Sequence, residues 1–320
     1  MAEFLARSLL QLIGLEVVAV MRRETLNESG WMRYDIGKEL GSLCARNKDG
    51  SFATQANRAS ILNQAAKALQ KAGYKNLAAR SLKPKHVHCL LEAWKAQKLS
   101  VGTIKNRMAT LRWWAEKVGK PNVVPRTNDE AGISRRSYVG KETKAQAIEP
   151  AQLAKLSHER LQVSIALQAA FGLRREECLK FQPDYAIQGD VLRLKGSWCK
   201  GGRERVVPIL SDQQREVLER ARALAGNGSM IPPDKSYKEW LATYEKATNL
   251  AGMHQLHGLR HAYAQARFEA LAGFKAPLAG GPSRDSLTKE QKQLDYDARM
   301  TVSAELGHGR EEVTAVYLGR

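Results

Sequence analysis

The sequence predicts a mainly helical protein of two domains, with one small three-stranded antiparallel sheet in the second domain. Three observations lead to this prediction. Apolar residues recur at helical spacing across residues 52–118 and again after Ile148. Between them, residues 121–144 are rich in Pro, Gly, Ser and charged residues without an apolar period, which is typical of a linker. Strand-like runs occur only within residues 185–209.

Three helices are predicted in the first domain. The first covers residues 52–72 and stops at Gly73, because glycine commonly follows the last helical residue. The second covers residues 84–98. The third starts at Ser100, a good N-cap, and continues to Val118. Its apolar face consists of Ile104, Met108, Leu111, Ala115 and Val118.

These patterns divide the chain into four parts. Residues 1–34 form an N-terminal extension with the spacing of an amphipathic helix, and its charged residues argue against a signal peptide or a membrane span. Residues 35–124 form the helical domain and residues 125–147 the linker. Residues 148–320 form the second domain.

The second domain starts with helical periodicity. A nearly continuous apolar run at residues 161–171 predicts a buried helix. Three runs of strand-forming residues follow, separated by glycine turns, and predict an antiparallel sheet. The strands are residues 185–187, 191–198 and 205–209. Residues 272–283 contain many Gly and Pro residues and are predicted to be loop.

Composition narrows the class of partner. The net charge is +18 and the pI about 9.8, which favours a polyanion such as nucleic acid, because neutralising phosphates releases counterions. The alternative is a protein that its positive charge keeps soluble, or one that binds ribosomes or anionic membranes. With 43% hydrophobic and 26% charged residues, the chain is globular. Its four widely spaced cysteines form no C-x-x-C pair, which argues against disulfides and zinc and fits a reducing cytosol.

The polar face of the third helix is basic. Residues 100–145 contain ten Lys or Arg against four Asp or Glu. Such an excess in an already basic chain predicts a surface that contacts the DNA backbone, and a solvated helix face is the alternative. The helix contributes Lys105, Arg107, Arg112 and Lys117.

Four segments carry groups suited to phosphodiester chemistry. Cleavage without a metal requires a nucleophile, cations that hold the non-bridging oxygens, and an acid that protonates the leaving oxygen. Taken singly, each residue has an ordinary structural alternative. An arginine could form a surface salt bridge, a lysine could lie in a solvated turn, and a tyrosine could lie on the face of an amphipathic helix. The segments are Phe171-Gly172-Leu173-Arg174-Arg175-Glu176-Glu177, Lys200-Gly201-Gly202-Arg203-Glu204-Arg205-Val206-Val207-Pro208, His257-Gly258-Leu259-Arg260, and Leu306-Gly307-His308 followed by Tyr317.

In this order, the segments resemble the catalytic motifs of the tyrosine recombinase (phage integrase) family. The resemblance implies that Tyr317 is the nucleophile. It implies that Arg174 and Arg260 clamp the phosphate, a task that suits the planar guanidinium fork. Lys200, at a hairpin turn, is implied to be the general acid that protonates the 5′ leaving oxygen.

The same resemblance assigns the remaining residues. His257 accepts or shuttles the proton of the tyrosine, and His308 donates a hydrogen bond to the phosphate. Glu177 orients an arginine or caps a turn. Arg203 and Arg205 are predicted to contact the DNA backbone or to be solvated.

No metal or other cofactor is predicted. His257 and His261 have the i, i+4 spacing that zinc can use, and His254 lies nearby. However, no glutamate lies between them in the H-E-x-x-H manner, and no third ligand is evident.

The resemblance covers residues 149–320 well and residues 52–118 loosely. It implies a two-domain DNA clamp, with a helical core-binding domain and a tyrosine-recombinase catalytic domain. The expected activity is site-specific recombination of double-stranded DNA by a homotetramer on two sites, for integration or excision of a mobile element. Accessory DNA-bending or directionality proteins are possible partners, and the expected location is the cytoplasm, at the nucleoid. A type IB topoisomerase, a non-catalytic DNA-binding regulator and, more distantly, a structural protein of an RNA particle are the alternatives.

Two departures from the family pattern stand out. The gap between Arg260 and His308 is about twice the usual span, which predicts a mobile inserted surface loop at residues 272–300. The sequence ends three residues after Tyr317. A subunit contact made by a C-terminal helix is therefore expected to be absent or to be replaced by the insert or the N-terminal segment.

Overall fold

The computed structural model describes residues 35–136, 138–140 and 142–320. The chain forms two compact units, one ending at Arg136 and the other covering the rest of the chain. Each unit has its own apolar core. The predicted N-terminal extension lies outside the described residues. Each described helix is too short or too polar to cross a bilayer.

The first unit is helical. Polar side chains cap the first, second and fourth of its helices: Asp35, Ser51 and Ser100 accept hydrogen bonds from backbone N–H groups of the first turn. The predicted N-cap at Ser100 is therefore confirmed. The helices are α1 (Ile36–Arg46), α2 (Phe52–Lys71), α3 (Pro84–Ala96) and α4 (Val101–Lys117).

The core of the first unit lies where α4 meets the other helices. Met108 and Leu111, both on the predicted apolar face, are fully buried. Trp114 is also fully buried, and its Nε1 donates to the carbonyl of Ala79 at 2.9 Å, so the one polar atom of the indole has a partner.

The second unit places its helices around a small sheet. Its helices are α5 (Pro150–Leu153), α6 (Glu159–Phe171), α7 (Arg175–Leu179), α8 (Pro183–Ala186), α9 (Asp212–Ala225), α10 (Tyr237–Leu250), α11 (Gly258–Ala272), α12 (Lys289–Glu305) and α13 (Glu311–Leu318). Its strands are β1 (Ile187–Gln188), β2 (Val191–Leu194) and β3 (Arg205–Pro208).

The sheet confirms the predicted fold class, which is mainly helical with three antiparallel strands in the order β1-β2-β3. The second strand is shorter than predicted. It ends at Leu194 because Gly196–Trp198 form a 3-10 helix. A Cβ at Gly196 would lie 2.5 Å from the carbonyl oxygen of Gly202, so a glycine allows the two sides of the turn to approach each other.

The prediction that residues 272–300 form a mobile surface loop is wrong for the second half of this segment. Its first half contains loops and short 3-10 helices, but α12 begins at Lys289. Asp295 and Arg299 are each 1% exposed and form an ion pair at 2.9 Å. Arg299 Nη1 also donates to the carbonyl of Gly319 at 2.8 Å, so α12 fixes the end of α13. The charged composition suggested a solvated segment because a buried ion pair has the same residue types as a surface one.

Gly172 shapes the C-terminus of α6, next to the predicted catalytic arginine. It adopts φ 59°, ψ 29°, in the left-handed region. A Cβ there would lie 2.6 Å from Cδ1 of Tyr263. Glycine is therefore required both by the backbone conformation and by the close approach of α11.

We expect Gly172→Ala to lower the free energy of unfolding by about 2–4 kcal/mol, measured by chemical denaturation, since backbone strain and the clash with Tyr263 add. Gly189→Ala is the matched control, because Gly189 has φ 60° and open space around it. We expect it to lower the free energy of unfolding by about 1 kcal/mol. Equal effects of the two changes would contradict the role of the Tyr263 contact.

Candidate active site

Tyr317 lies in α13 and is 5% exposed. Its ring packs against the ring of His261 with centroids 4.6 Å apart, and its carbonyl accepts a hydrogen bond from Gln265 Nε2 at 2.9 Å. Both partners lie on α11. The backbone and the ring of Tyr317 are therefore held by this one helix.

Three nitrogens surround the Tyr317 hydroxyl. Arg260 Nε lies at 3.4 Å, and the Nε2 atoms of His257 and His308 each lie at 3.5 Å. These distances are long for hydrogen bonds, so the hydroxyl is loosely held. Catalytic contacts are often long in a protein without its substrate and shorten in the complex.

Arg260 is buried between the ends of two helices and is 1% exposed. Its Nη1 donates to the carbonyl of Gly172 at the end of α6, and its Nη2 donates to the carbonyl of Leu306 at the end of α12. Carbonyls at helix C-termini carry partial negative charge, which offsets the loss of hydration of the guanidinium. Burial lowers the pKa of Arg260 to about 10, so it stays charged at neutral pH.

Arg174 lies beside Arg260 because both donate to the same carbonyl. Arg174 Nη2 donates to Leu306 O at 3.2 Å, and its Nη1 donates to Glu177 Oε1 at 2.8 Å. Its side chain is 19% exposed, so it is open to solvent in a way that Arg260 is not. Two guanidinium groups next to each other match the geometry of a phosphate clamp.

Glu177 is fully buried between two arginines. Arg205 donates to both of its carboxylate oxygens at 2.6 Å, and the backbone N–H of Arg174 donates to Oε2, also at 2.6 Å. Burial alone would raise the pKa of Glu177, but the hydrogen bonds and charges of Arg205 and Arg174 outweigh it and lower the pKa to about 2.

The prediction that Arg205 is solvated or contacts the DNA backbone is wrong, because this residue is 6% exposed and paired with Glu177. Strand alternation was the signal that could have located it. In β3, Arg205 and Val207 share the buried face, whereas Val206 is 50% exposed. The charge of an arginine favours an exposed position in a prediction from sequence, because a buried arginine requires a partner that the local pattern does not show.

His308 lies in the turn between α12 and α13. Gly307 and Gly309 flank it with φ 71° and 68°, and its N–H donates to the carbonyl of Ser303 at 2.9 Å. His308 Nε2 lies 3.4 Å from Arg260 Nη2. Burial, aided by the positive charge of the nearby arginines, lowers the pKa of His308 to about 4, so it is neutral at pH 7.

His257 precedes the first residue of α11 and is exposed. The side of its ring that contacts Tyr317 is nevertheless partly buried, and this loss of hydration and the charge of Arg260 lower its pKa, which keeps it neutral at pH 7 and able to accept a proton. Its ring lies 5.6 Å from that of His261. In the described part of the chain, no three His, Cys, Asp or Glu side chains converge as metal ligands would.

His261 lies beneath the tyrosine ring, 3% exposed, and its Nδ1 has no hydrogen-bond partner among the described residues. Burial and the neighbouring His257 lower its pKa from 6.5 to about 4. The folded state therefore keeps it neutral between these two pH values, where the unfolded state takes up a proton. Its contribution to stability is full above about pH 6.5 and is lost as the pH falls toward 4.

We expect the free energy of unfolding to depend less on pH in His261→Phe than in the wild type. Between about pH 6.5 and 4, the slope should decrease by up to about 1.4 kcal/mol per pH unit. Urea denaturation across this range measures it. His254→Phe, a change at an exposed histidine, is the control variant and is measured under the same conditions. Identical slopes in His261→Phe and the wild type would contradict this prediction, because they would show that His261 takes up its proton equally well in the folded and the unfolded state.

Lys200 is exposed at the turn between β2 and β3, in the short 3-10 helix Lys200–Gly202. Gly201 and Gly202 have φ 80° and 70°. Among the described residues, Lys200 has no hydrogen bond or ion pair with the other predicted catalytic residues. The structure thus brings together Tyr317 and four predicted partners, and leaves Lys200 on the hairpin. These partners are Arg174, Arg260, His257 and His308.

The residues predicted to contact the DNA backbone differ in their exposure and in whether the protein already binds their charged groups. Arg112 donates to the carbonyl of Pro125 at 2.8 Å and to Asn128 Oδ1 at 3.1 Å, so its guanidinium stabilises the fold of the first unit. Arg107 donates to Gln64 Oε1 at 2.7 Å. Lys105 and Lys117 are half-buried and Arg203 is exposed.

Comparison with protein families gives two matches. The family model described as "Phage integrase, N-terminal" matches residues 34–124, and the one described as "Integrase" matches residues 132–266. Between them they match more than half of the chain. Comparison by sequence with curated proteins gives no match.

Solved structures share the fold. The XerH site-specific recombinase bound to palindromic difH substrate has a TM-score of 0.54 and 16% identity, with 88% of this chain and 80% of that chain covered. The Tn1549 transposon integrase with transposon right end DNA has a TM-score of 0.53 and 10% identity, with 90% and 95% covered. A lambda integrase tetramer bound to a Holliday junction has a TM-score of 0.50 and 15% identity, with 87% and 81% covered.

At these identities the structural likeness concerns the fold alone, and the two family matches carry the assignment. The chain belongs to the phage integrase family, that is, to the tyrosine-type site-specific recombinases.

Proposed function

We propose that this protein cuts and rejoins duplex DNA through a 3′-phosphotyrosyl intermediate with Tyr317 as the nucleophile. One observation carries the proposal. The Tyr317 hydroxyl lies within 3.5 Å of Arg260, His257 and His308. One cation and two neutral imidazoles around a tyrosine hydroxyl can accept its proton and stabilise the charge that develops on the phosphate.

The cleavage step balances as follows. The Tyr317 oxygen forms a bond to phosphorus as the bond from phosphorus to the 5′ oxygen breaks. The phenolic proton passes to His257, and Lys200 gives a proton to the 5′ oxygen, which leaves as a hydroxyl. Arg174 and Arg260 hold the non-bridging oxygens, and His308 donates a hydrogen bond to one of them.

The reverse step rejoins the strands. A 5′-hydroxyl oxygen from a partner strand forms a bond to phosphorus as the bond from phosphorus to the Tyr317 oxygen breaks. The proton of the hydroxyl passes to Lys200, and His257 returns a proton to Tyr317. One phosphoester replaces another at every stage, so the bond energy is retained and no external energy source is needed. In this role Lys200 must approach the leaving oxygen, and its position on a glycine turn allows that movement.

The biological role is proposed to be integration or excision of a mobile element, by a homotetramer that brings together two DNA sites at the nucleoid. Related folds support this: one belongs to a transposon integrase with transposon end DNA, and another to a tetramer on a Holliday junction. The net charge of +18 provides attraction to the phosphate backbone. Both units are proposed to contact the duplex as a clamp, with Lys105, Lys117 and Arg203 as backbone contacts.

The proposal is tested with nicked suicide duplexes that tile the DNA flanking the gene. A nick near the cleavage point lets a short fragment diffuse away, so the covalent intermediate accumulates. In EDTA, the wild type should form a denaturation-resistant adduct on one duplex and not on scrambled duplexes of the same composition. Tight binding to a site without any adduct there would contradict the proposal and favour a DNA-binding regulator.

Strand transfer separates recombination from topoisomerase activity. With two labelled duplexes that carry the site, we expect strands to be exchanged between them through a complex of four protomers. Relaxation of supercoiled DNA by a monomer, without exchange, would contradict the proposed role.

A further inference from the structure

Glu177 is bound by two arginines in different ways. Arg205 uses a two-pronged pairing, with Nη1 on Oε1 and Nη2 on Oε2, each at 2.6 Å. The Arg174 side chain reaches Glu177 only through Nη1 on Oε1, at 2.8 Å. The bidentate partner of this carboxylate is therefore Arg205, and Arg174 is the secondary one.

The two arginines also differ in their access to solvent. The side chain of Arg205 is 4% exposed, and that of Arg174 is 19% exposed. One carboxylate between two guanidinium groups leaves a net positive charge. Because Arg205 already pairs with both oxygens, that remaining charge lies on the more exposed Arg174, where an external anion can use it.

We propose that Arg205 is a positioning residue: it neutralises Glu177 and thereby leaves the positive charge of Arg174, and the N–H groups that its bonds to Glu177 and Leu306 do not use, available to bind the phosphate that is cut. The proposal rests on the proposed function for the identity of that phosphate. Arg205 would thus affect the rate of cleavage without contacting DNA, in contrast to the contact with the DNA backbone that its charge predicts.

A second contact extends the effect of Arg205 to the other arginine of the clamp. Arg205 Nε donates to the carbonyl of Glu305 at 2.8 Å. The next carbonyl along the chain, that of Leu306, accepts from both Arg174 and Arg260. Arg205 therefore also fixes the peptide on which the two guanidinium groups meet.

Without Arg205, Glu177 should compete with the phosphate for Arg174. In Arg205→Met, the carboxylate keeps only Arg174 as a close partner and should pair with it fully, which withdraws Arg174 from the phosphate. Burial then raises the pKa of Glu177 without the opposing effect of Arg205. At lower pH the protonated Glu177 should release Arg174.

This pH effect has to be separated from other titrating groups around Glu177. Charged and titratable groups face it from α7, β3, the turn before β3, α11 and the turn after α12. They are Arg174, Cys178, Cys199, Arg205, His257, Arg260 and His308. All of these except Arg205 are present in every variant below, so rates are compared as ratios to the wild type at each pH.

The first experiment measures the rate of adduct formation on the nicked site between about pH 5.5 and 8. We expect Arg205→Met to form the adduct about a hundredfold more slowly than the wild type at pH 7.5. At about pH 5.5 it should be only about tenfold slower than the wild type. The double variant Arg205→Met with Glu177→Gln should form the adduct faster than Arg205→Met. The ratio of its rate to the wild-type rate should not change with pH. Arg205→Lys, which keeps the charge, should stay within about tenfold of the wild type.

Arg193→Met is the matched control. Arg193 lies on β2 opposite Val206, and its ion pair with Glu204 is about half exposed. We expect it to leave the rate and its pH profile unchanged. A wild-type rate in Arg205→Met would overturn the proposal. The proposal would also be overturned if Arg205→Met were slower than the wild type by the same factor at every pH and the added Glu177→Gln change did not restore the rate. That pattern would indicate a structural role alone.

A second experiment does not depend on cleavage. Inorganic phosphate is titrated into the full-length protein at pH 7.5 and followed by phosphorus NMR line broadening. We expect binding about tenfold weaker in Arg205→Met than in the wild type, with recovery in the double variant. Equal binding in all three proteins would overturn the role of Arg205. If the wild type forms no adduct, the proposed function fails, and the phosphate titration still decides about Arg205.

Discussion

Replacement of Tyr317 by phenylalanine is expected to abolish the covalent protein–DNA adduct and to leave the fold intact. The hydroxyl makes only contacts of 3.4 to 3.5 Å, so its removal should lower the free energy of unfolding by less than about 1 kcal/mol. The ring should stay packed against His261. Without the hydroxyl oxygen there is no nucleophile, and we expect adduct formation to fall by at least about 10⁴-fold in the suicide-duplex assay.

Tyr244→Phe is the matched control for this change. Tyr244 is also buried, and its hydroxyl accepts a hydrogen bond from Gln168 at 3.0 Å. We expect this variant to lose some stability and to form the adduct at the wild-type rate. An adduct in Tyr317→Phe that survives denaturation would mean that another residue is the nucleophile.

Replacement of Lys200 by methionine is expected to slow cleavage of ordinary DNA by about 10²–10⁴-fold, the range for a lost general acid. The exposed position of Lys200 on a turn predicts little change in stability. A duplex with sulfur in place of the 5′ bridging oxygen should restore cleavage, because a thiolate leaves without needing a proton. The measurement compares the rates on the two duplexes.

The control for this prediction is Lys195→Met. Lys195 precedes the same turn, but its ammonium group donates to Gln182 at 2.7 Å and lies over the ring of Tyr185 at 4.0 Å. We expect no preference of this variant for the sulfur duplex beyond that of the wild type. If Lys200→Met were equally slow on both duplexes, Lys200 would act in binding or positioning and another group would be the acid.

Local patterns predicted the parts of the fold that depend on local physics. The apolar face of α4 and the N-cap at Ser100 agree with the sequence, because helix periodicity and capping involve neighbouring residues. The antiparallel sheet follows from alternation and glycine turns. For the candidate site, the order of the four motifs predicts Tyr317 and its partners, and the structure places Arg260, His257 and His308 next to the Tyr317 hydroxyl and Arg174 next to Arg260.

Charged residues in the interior could not be predicted in this way. The sequence predicts DNA-backbone contact or solvation for Arg205 and a mobile surface loop for the segment with Asp295 and Arg299, yet all three residues are buried in ion pairs. A pairing between residues far apart in the chain leaves no local signal, since the partner of Arg205 is Glu177 on another element. Composition alone cannot distinguish such a pair from surface charge.

The central claim is that Tyr317 becomes covalently linked to DNA, and peptide mapping of the adduct tests it most directly. The adduct formed by the wild type in EDTA is digested with nuclease and protease, and the modified peptide is sequenced by mass spectrometry. The account predicts a nucleotide attached through its 3′ phosphate to the Tyr317 oxygen. A nucleotide on any other residue, or one attached through a 5′ phosphate, would contradict it.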